Sequence, residues 1–244
     1  MRNRLKICAV ALLVKRKKQK DRAVRGLSEL CFMSECKKKI AIYGGSFSPP
    51  HIGHILAARA YLDASGADKI VIIPAKHPPH KQLDRGADDA DRINMCRLAF
   101  CEDTVLCGRC EISDYEICSD SVSYTINTVE HFQSLGYDGI SLLIGTDMLL
   151  TFESWCRYRD IFERVTLYYI NRYDSQKNEA RQCAQRFRDE YGARIYELDV
   201  PVFEASSSSV RSMIAEGKCT DGMLCEKVIE YIDKNGLYKS ERNG

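Results

Sequence analysis

The chain has 244 residues, of which 45% are hydrophobic and 29% are charged. This globular balance excludes a wholly disordered or collagen-like protein. The formal net charge of +2 excludes a chain that is strongly basic throughout, and no apolar run reaches the roughly 20 residues that span a bilayer, so we expect neither nucleic acid nor a membrane as a partner.

The start of the chain carries an excess of positive charge. Residues 1–32 hold ten Lys or Arg and two acidic residues, whereas the 26 basic and 32 acidic residues of 33–244 give a net charge of −6. The apolar stretch over 7–14 resembles a signal-peptide core, but no small-residue cleavage site follows it. We predict a basic, flexible N-terminal extension over 1–38, or a natural start at Met33, and a single domain over 39–244.

Strands and helices alternate from residue 40 onward. In chain order, the patterns predict a strand over 40–43, a helix over 52–64, a strand over 69–74, helices over 89–100 and 122–135, a strand over 140–144, a helix over 152–162, a strand over 166–171, a helix over 175–191, a strand over 194–200, and helices over 208–216 and 224–234. This alternation predicts an α/β fold, a Rossmann-like doubly wound parallel sheet with helices on both faces. Ligands of such sheets bind beyond the carboxyl ends of the strands.

The cysteines are numerous but scattered. A chain of this length builds a core without disulfides, so the twelve cysteines are interpreted as reduced thiols of a cytoplasmic protein. One close pair, Cys107 and Cys110, has the spacing of half a zinc site. A structural zinc site requires two such pairs. We therefore predict buried thiols here and no metal held by the protein.

A glycine turn and two histidines follow the first strand. Gly44 and Gly45 let backbone approach a ligand closely, and the free N–H groups at a helix start favour an anion. His51 and His54 are three residues apart and share a helix face. The segment is neither a dinucleotide-binding G-x-G-x-x-G nor a P-loop. It predicts a phosphate-binding corner, although the same residues also suit a metal pair or a capped helix end.

Two further segments are rich in anion-binding groups. The serines of 206–209 precede Arg211 and form a helix start with many hydroxyl and N–H donors, a second candidate anion site. Lys81 is a cation beyond a strand end, and on its own it is equally a solvated surface residue. Asp147 is compatible with a helix cap, and Trp155 with a core position on an amphipathic helix.

These segments, in this order, resemble bacterial nicotinate-nucleotide adenylyltransferases of the nucleotidyltransferase superfamily. The segment 44–54 reads GGSFSPPHIGH, similar to the family's GGTFDPxHxGH, with Ser46 for Thr and Ser48 for Asp. The His-x-Gly-His turn also occurs in class I aminoacyl-tRNA synthetases. Four more segments match: PPHK over 78–81, SYT over 123–125, GTD over 145–147 followed by Trp155, and SSSSVR over 206–211. The resemblance covers about 40–238.

The resemblance implies transfer of the adenylyl group of ATP to nicotinate mononucleotide, with Mg²⁺ accompanying ATP. It implies a catalytic role for His51, His54, Lys81 and Arg211. It implies ATP contacts from Gly44, Gly45, Ser46, Gly53, Gly145, Asp147, Ser206, Ser207 and Ser208. It implies mononucleotide contacts from Phe47, Tyr124, Thr125 and Trp155, with Trp155 against the pyridine ring and Asp147 accepting ribose hydroxyls.

Two other functions stay open at this point. One is another small-molecule nucleotidyltransferase, such as an adenylyltransferase for nicotinamide mononucleotide or phosphopantetheine. The other is a non-catalytic redox or nucleic-acid-binding protein that uses the cysteines and the basic extension. Metal content and salt-sensitive DNA binding distinguish the latter. The sequence does not specify the oligomeric state.

Overall fold

Six parallel strands form the central sheet of the protein, whose structure is a computed structural model that describes residues 38–76, 86–120, 122–171, 174–201, 203 and 205–239. The strands are β1 (Lys38–Gly45), β2 (Lys69–Pro74), β3 (Cys110–Ile112), β4 (Tyr137–Gly145), β5 (Val165–Ile170) and β6 (Arg194–Leu198). Their order across the sheet is β3-β2-β1-β4-β5-β6, and every neighbouring pair is parallel. This is the doubly wound arrangement that the alternating pattern predicts.

Helices connect the strands. In chain order they are α1 (Ile52–Ser65), α2 (Asp89–Cys96), α3 (Tyr115–Cys118), α4 (Thr125–Ser134), α5 (Thr146–Leu150), α6 (Tyr158–Arg164), α7 (Lys177–Tyr191), α8 (Ser207–Ala215) and α9 (Glu226–Asn235). A π-helical turn, Arg97–Cys101, extends α2, and 3-10 turns occupy Phe152–Ser154 and Asp174–Gln176. Within the described residues no helix has the length and apolarity to cross a membrane.

The hydrophobic core lies on both faces of the sheet, because alternate residues of a strand point to opposite sides. In β1, Ile40 and Ile42 belong to one buried cluster, and Ala41 and Tyr43 belong to the other. The first cluster includes side chains of α4, α5, α6 and α7, and the second includes side chains of α1, α2, α8 and α9. The predicted coverage of both faces by helices is confirmed.

Two predicted helices differ from the structure, and one strand is missed. The helix predicted over 122–135 begins at Thr125. The edge strand β3 has three residues, none of them fully buried, so it lacks the apolar run that reveals a strand. A further short helix, α5, follows β4 directly without an intervening loop. The predicted burial of the thiols of Cys107 and Cys110 is wrong for Cys107, which is exposed, and Cys110 is half-buried.

The single helix predicted over 152–162 is wrong. The chain makes a 3-10 turn, becomes extended at Trp155 (φ −75°, ψ 145°), and begins α6 only at Tyr158. Between them Arg157 has a left-handed backbone (φ 53°), a conformation that interrupts a right-handed helix. Its side chain makes ion pairs with Glu130 of α4 and Asp160 of α6. The apolar spacing over 152–162 therefore reflects two short turns that pack separately.

Some predictions fall outside the described residues. Residues 1–37 lie there, so the extension over 1–38 and the domain boundary at residue 39 stay predictions. Lys81 and the rest of the 78–81 segment lie there too.

Candidate active site

The candidate site lies at β1, where the chain stops adding strands on one side of the sheet and begins to add them on the other. β1 lies between β2 and β4, and the chain continues from β2 to β3 on one side and from β4 to β6 on the other. Loops leaving the carboxyl ends of β1 and β4 therefore diverge and leave a crevice between them, the place where ligands bind in such sheets. Gly44 and Gly45 end β1, and Gly145 ends β4. The sequence motifs are thus brought to one edge of the sheet.

The turn after β1 is closely packed. A Cβ atom on Gly45 would lie 3.0 Å from the Phe47 ring, and one on Gly53 would lie 2.8 Å from Phe203 and 3.1 Å from His51. Both positions therefore exclude a side chain without movement of a ring. Phe47 itself has a left-handed backbone (φ 45°), and its ring packs against Gly45. Glycine at these positions is required by close packing.

The Phe47 ring is buried in the core, and the mononucleotide contact that the resemblance implies for Phe47 stays a prediction. Its side chain is 1% exposed, and its ring packs edge-on against Tyr43 at 5.4 Å and Phe100 at 5.5 Å between centroids. It is also 5.2 Å from the His54 ring. The structure places the Phe47 ring in the hydrophobic core beneath the turn, outside the lining of either cavity described below. Its side chain supports His54 from below.

His51 and His54 lie together at the start of α1. His51 is the N-terminal cap of the helix, and its backbone N–H donates to Nδ1 of His54 at 3.1 Å. The two rings are 3.7 Å apart. Because Nδ1 of His54 accepts a hydrogen bond, the ring proton of the neutral imidazole lies on Nε2, which is then a donor. The first-turn N–H groups of α1 add a partial positive charge beside the pair.

The serine-rich helix start lies against the same turn. The Ser206 side chain caps α8 and accepts a hydrogen bond from the Ser209 N–H at 3.1 Å. Ser207 Oγ donates to Pro49 O at 2.9 Å, and Arg211 Nη1 donates to Ser48 O at 2.8 Å. Two helix N-termini, those of α1 and α8, are thereby joined through residues 48 and 49. This convergence of N–H groups, hydroxyls and a guanidinium suits phosphate oxygens.

The guanidinium of Arg211 has a second contact. Its Nη2 atom donates to Ser208 Oγ at 3.3 Å, so the side chain spans the first turn of α8 and the 48–49 segment. Ser48 is buried, and its hydroxyl lies 3.0 Å from Tyr238 Oη. In this chain the position therefore serves packing of the C-terminal segment through a neutral hydrogen bond.

A large cavity opens on the other side of the glycine turn. Its volume is about 470 Å³, and it lies against the ends of β1 and β4 and the start of α4. Its lining includes Gly44, Gly45, Ser46, Tyr124, Thr125 and Trp155, all predicted site residues. Tyr124 is the N-terminal cap of α4 and Thr125 is its first residue, so the N-terminal end of a helix lies at the cavity wall. The cavity can hold an aromatic ring with an attached anionic group.

Trp155 is the extended residue between the 3-10 turn and α6, and its side chain lines the large cavity. Its indole stacks on Phe152, with ring centroids 4.7 Å apart, and Phe152 is fully buried. The indole is therefore fixed against a core side chain on one side and lines the large cavity on the other. Cys156, beside it, is exposed and also lines the cavity.

A second, small cavity of about 40 Å³ lies beside the histidines. Its lining includes Tyr43, His51, Gly53, His54 and Phe203. The Phe203 ring stacks on His51 at 5.8 Å and thereby narrows the space. The two cavities share no lining residue, and the end of β1 separates them. This arrangement provides two binding places on either side of one glycine turn.

Gly145 and Asp147 occupy the end of β4 and the first turn of α5. The N-terminal cap of α5 is Gly145, so the capping role considered for Asp147 is not what the structure shows. Asp147 is exposed and lies outside the lining of both cavities. Thr146 between them is buried and donates to Ile170 O at 2.9 Å, which fixes the turn on β5.

Sequence reasoning missed Arg92. It is 1% exposed, yet it carries a full charge. Nη1 donates to Ser46 O at 2.9 Å, and Nη2 pairs with Asp89 at 2.6 Å. The buried guanidinium thus holds the carbonyl of the glycine turn in place. On the sequence alone Arg92 is one more basic residue of a helix, and no pattern signals its burial.

Glu116 is the second residue that the sequence did not indicate. It lies in the short helix α3 and lines the large cavity. Thr128 of α4 donates a hydrogen bond to its Oε1 atom at 2.7 Å. Burial raises the pKa of the Glu116 carboxyl, and the hydrogen bonds from Thr128 and Ser123 act in the opposite direction. A lone glutamate in a loop region has no motif by which to find it.

Comparison with known proteins gives consistent matches. The cytidylyltransferase-like family matches residues 42–213. The chain is 34% identical over 206 residues to a protein of Caldicellulosiruptor bescii called a probable nicotinate-nucleotide adenylyltransferase, covering 82% of this chain and 99% of that protein. It is 32% identical over 204 residues to the nicotinate-nucleotide adenylyltransferase of Bacillus subtilis, covering 83% of this chain and 100% of that protein.

The fold is also shared with solved structures. The nicotinic acid mononucleotide adenylyltransferase of Plasmodium falciparum complexed with NaAD superposes with a TM-score of 0.68 at 19% identity, covering 82% of this chain and 97% of that one. The same enzyme complexed with APC gives a TM-score of 0.67 at 18% identity. At this level of identity the structural matches establish the fold alone.

Proposed function

The chain belongs to the nicotinate-nucleotide adenylyltransferase family, and from this premise we propose that it transfers the adenylyl group of ATP to nicotinate mononucleotide. The products are nicotinate adenine dinucleotide and pyrophosphate, which places the enzyme in NAD biosynthesis. The observation that carries the proposal is the pair of cavities flanking the glycine turn at the end of β1, one lined by the histidines and the other by Trp155.

The reaction requires positioning more than covalent chemistry. A phosphate oxygen of the mononucleotide forms a bond to the α-phosphorus of ATP, and the bond from that phosphorus to the bridging oxygen of pyrophosphate breaks. Negative charge moves onto the departing pyrophosphate. No protein nucleophile takes part. The end of β1 lies between the two cavities, so substrates in both would meet over Gly44 and Gly45.

We assign the charge stabilisation to the converging helix starts. His54 would donate from Nε2 to a phosphate oxygen, and His51 would donate beside it, with the α1 amides behind both. Arg211 and the hydroxyls of the α8 start would bind the phosphates from the other side, as their contacts with residues 48 and 49 allow. Donors fixed before the reaction stabilise developing charge without reorganisation. Lys81 is proposed to add a further positive charge.

Mg²⁺ is proposed to enter with ATP. The small cavity is lined by the imidazoles of His51 and His54, and the start of α8 supplies hydroxyls and the Arg211 guanidinium. These donors fit phosphate oxygens, whereas Mg²⁺ prefers oxygen ligands and keeps much of its water. In the parts of the chain that the structure describes, no group of three His, Cys, Asp or Glu side chains has a metal-binding arrangement. We propose that the phosphate oxygens would hold the ion, which would neutralise part of their charge.

The acid form of the substrate is proposed to be selected at the start of α4. The hydroxyl and the backbone N–H of Thr125 can donate to the two oxygens of a ring carboxylate, and the helix dipole at Tyr124 and Thr125 favours its charge. An amide in the same place would direct its NH₂ group at a donor and leave a polar group mispaired. Trp155 would stack on the ring. Asp147 is proposed to accept ribose hydroxyls, from the resemblance of 145–147.

The proposed domain is 39–244, preceded by a flexible extension, in a cytoplasmic protein. The location is inferred from the scattered cysteines. Limited proteolysis with mass spectrometry should cut within 1–38 first, and cell fractionation should recover the protein with the cytosol.

The test is pyrophosphate release from ATP and Mg²⁺ with a panel of mononucleotides. We expect kcat/KM for nicotinate mononucleotide to exceed that for the nicotinamide form by about 10- to 100-fold, the scale of one mispaired buried polar group. Trp155→Ala should lower both values, because stacking is common to the two rings. Equal use of the two forms would remove the specific assignment, and turnover of phosphopantetheine alone would replace it.

A further inference from the structure

One charged group lines the large cavity. Among its described lining residues Glu116 alone carries a formal charge at neutral pH; the rest are apolar side chains, glycines, hydroxyls and a thiol. The carboxyl is half-buried at this wall. A negative charge in an apolar cavity is costly unless a partner compensates it. A positively charged ligand in the cavity would therefore compensate the negative charge of Glu116.

The carboxyl is held in one position by neutral donors. Thr128, which is 2% exposed, donates to Oε1 at 2.7 Å, and Ser123 supplies a second hydrogen bond. In the described part of the chain no Lys, Arg or His forms an ion pair with Glu116. The two hydroxyls orient the group but do not neutralise it, so its charge remains available to whatever fills the cavity.

The proposed substrate carries a matching charge. The ring nitrogen of a pyridine mononucleotide bears the ribose and is therefore a permanent cation. We infer that Glu116 recognises this pyridinium charge and is a specificity-determining residue for the oxidised ring. The inference rests on the proposed function. The ring carboxylate would be bound separately, at the start of α4, so the two ends of the ring zwitterion would meet opposite charges on the protein.

Two other roles make different predictions. If Glu116 only braces α3 against α4, its removal should weaken all substrates equally and lower the melting temperature. If it accepts a hydrogen bond from a ring amide, its removal should change the ratio of acid to amide forms. Only recognition of ring charge predicts a change in the ratio of oxidised to reduced rings.

The experiment compares nicotinate mononucleotide with its dihydropyridine form, which has the same substituents but a neutral ring. Pyrophosphate release at mildly alkaline pH gives kcat/KM for each, and the pair of nicotinamide forms is measured in parallel. The wild-type protein should prefer the oxidised ring by about 10- to 100-fold, the scale of an interaction with a charged group. Glu116→Gln, which keeps size and removes charge, should lose most of that preference.

The matched control is Asp138→Asn. It removes the same charge from an exposed residue at the other end of β4, far from the site, and should keep the wild-type ratio. Glu116→Asp retains the charge and should keep at least part of the preference. If Glu116→Gln does not fold, the role of Glu116 is judged from the ratio of kcat/KM for the oxidised and reduced rings in the wild type and in Glu116→Asp.

The outcomes separate the two claims. A wild-type ratio below threefold, or an unchanged ratio in a folded Glu116→Gln protein, overturns the role of Glu116. A changed acid-to-amide ratio with an unchanged ring-charge ratio does so as well, in favour of amide recognition. Absence of pyrophosphate release from nicotinate mononucleotide with the wild type instead overturns the proposed function.

Discussion

Replacing His54 tests the phosphate corner, because this side chain has two separable functions. Its Nδ1 atom accepts the backbone N–H of His51 at 3.1 Å, which caps α1. Its Nε2 atom is the proposed donor to ATP. Loss of one preorganised donor costs about 2–4 kcal/mol in the transition state, and a tenfold change in rate corresponds to 1.36 kcal/mol. His54→Ala should therefore lower kcat by roughly 30- to 900-fold.

The cost in stability should be much smaller. Loss of a helix cap destabilises by about 0.5–2 kcal/mol, and a domain of this size loses about 2–4 °C in melting temperature per kcal/mol. We expect His54→Ala to melt about 1–8 °C below the wild type. His54→Gln separates the effects, since a glutamine at this helix position can accept the His51 N–H and restore the cap.

The assay is single-turnover pyrophosphate release with saturating ATP and nicotinate mononucleotide, alongside calorimetry of each protein. We expect His54→Gln to recover the melting temperature of the wild type and to remain slow. Normal turnover by a folded His54→Ala protein would refute the phosphate-corner assignment. Unfolding of both variants would show that His54 is a packing residue, since Phe47 lies against its ring.

Three further predictions follow from the same structure. Arg92→Met should lower the free energy of unfolding by about 2–4 kcal/mol in urea titrations, because it leaves the Ser46 carbonyl and an acidic partner without their donor; a loss below 0.5 kcal/mol would contradict this. Nicotinate mononucleotide should slow alkylation of Cys156, which lines the large cavity, but not of the exposed Cys107, as measured by peptide mass spectrometry; equal protection of both would place the substrate elsewhere. Deleting residues 1–32 should leave melting temperature and activity unchanged, because this stretch has too little apolar surface to offset its ordering entropy; an insoluble or inactive truncated protein would show that it packs on the body.

Much of the fold could be predicted because its signals are local. The β1 and β2 runs are short and apolar, as strands buried on both faces must be. The helices α7 and α9 are amphipathic, which is the local signal of a helix packed on a core. The prediction over 152–162 failed for a reason that is not local. There Arg157 has a left-handed backbone, and its side chain pairs with Glu130 on a different helix. Spacing within the segment carries no information about that partner.

The sequence by itself determined which residues are proposed to form the phosphate corner. Each anion-binding feature lies within a few consecutive residues: a glycine turn after a strand, two histidines three apart, and a serine-rich helix start with Arg211. Helix geometry places the side chains of each feature on one face. The predicted parallel sheet then brings the carboxyl ends of the strands to one edge. The motifs therefore identified both the family and the edge at which the site lies.

Only the tertiary structure decided which groups line the candidate site. Phe47 lies beside the motif histidines yet is buried under them, whereas Glu116 and Arg92 belong to no motif and reach the cavity wall and the glycine turn through contacts with Thr128 and Ser46. Whether a charged side chain is exposed or buried depends on what packs over it, and those partners are distant in sequence. Burial of Glu116 and Arg92 depends on the helices and strands that pack around them. The negative charge in the cavity wall therefore arises only when the sheet and its helices are folded together.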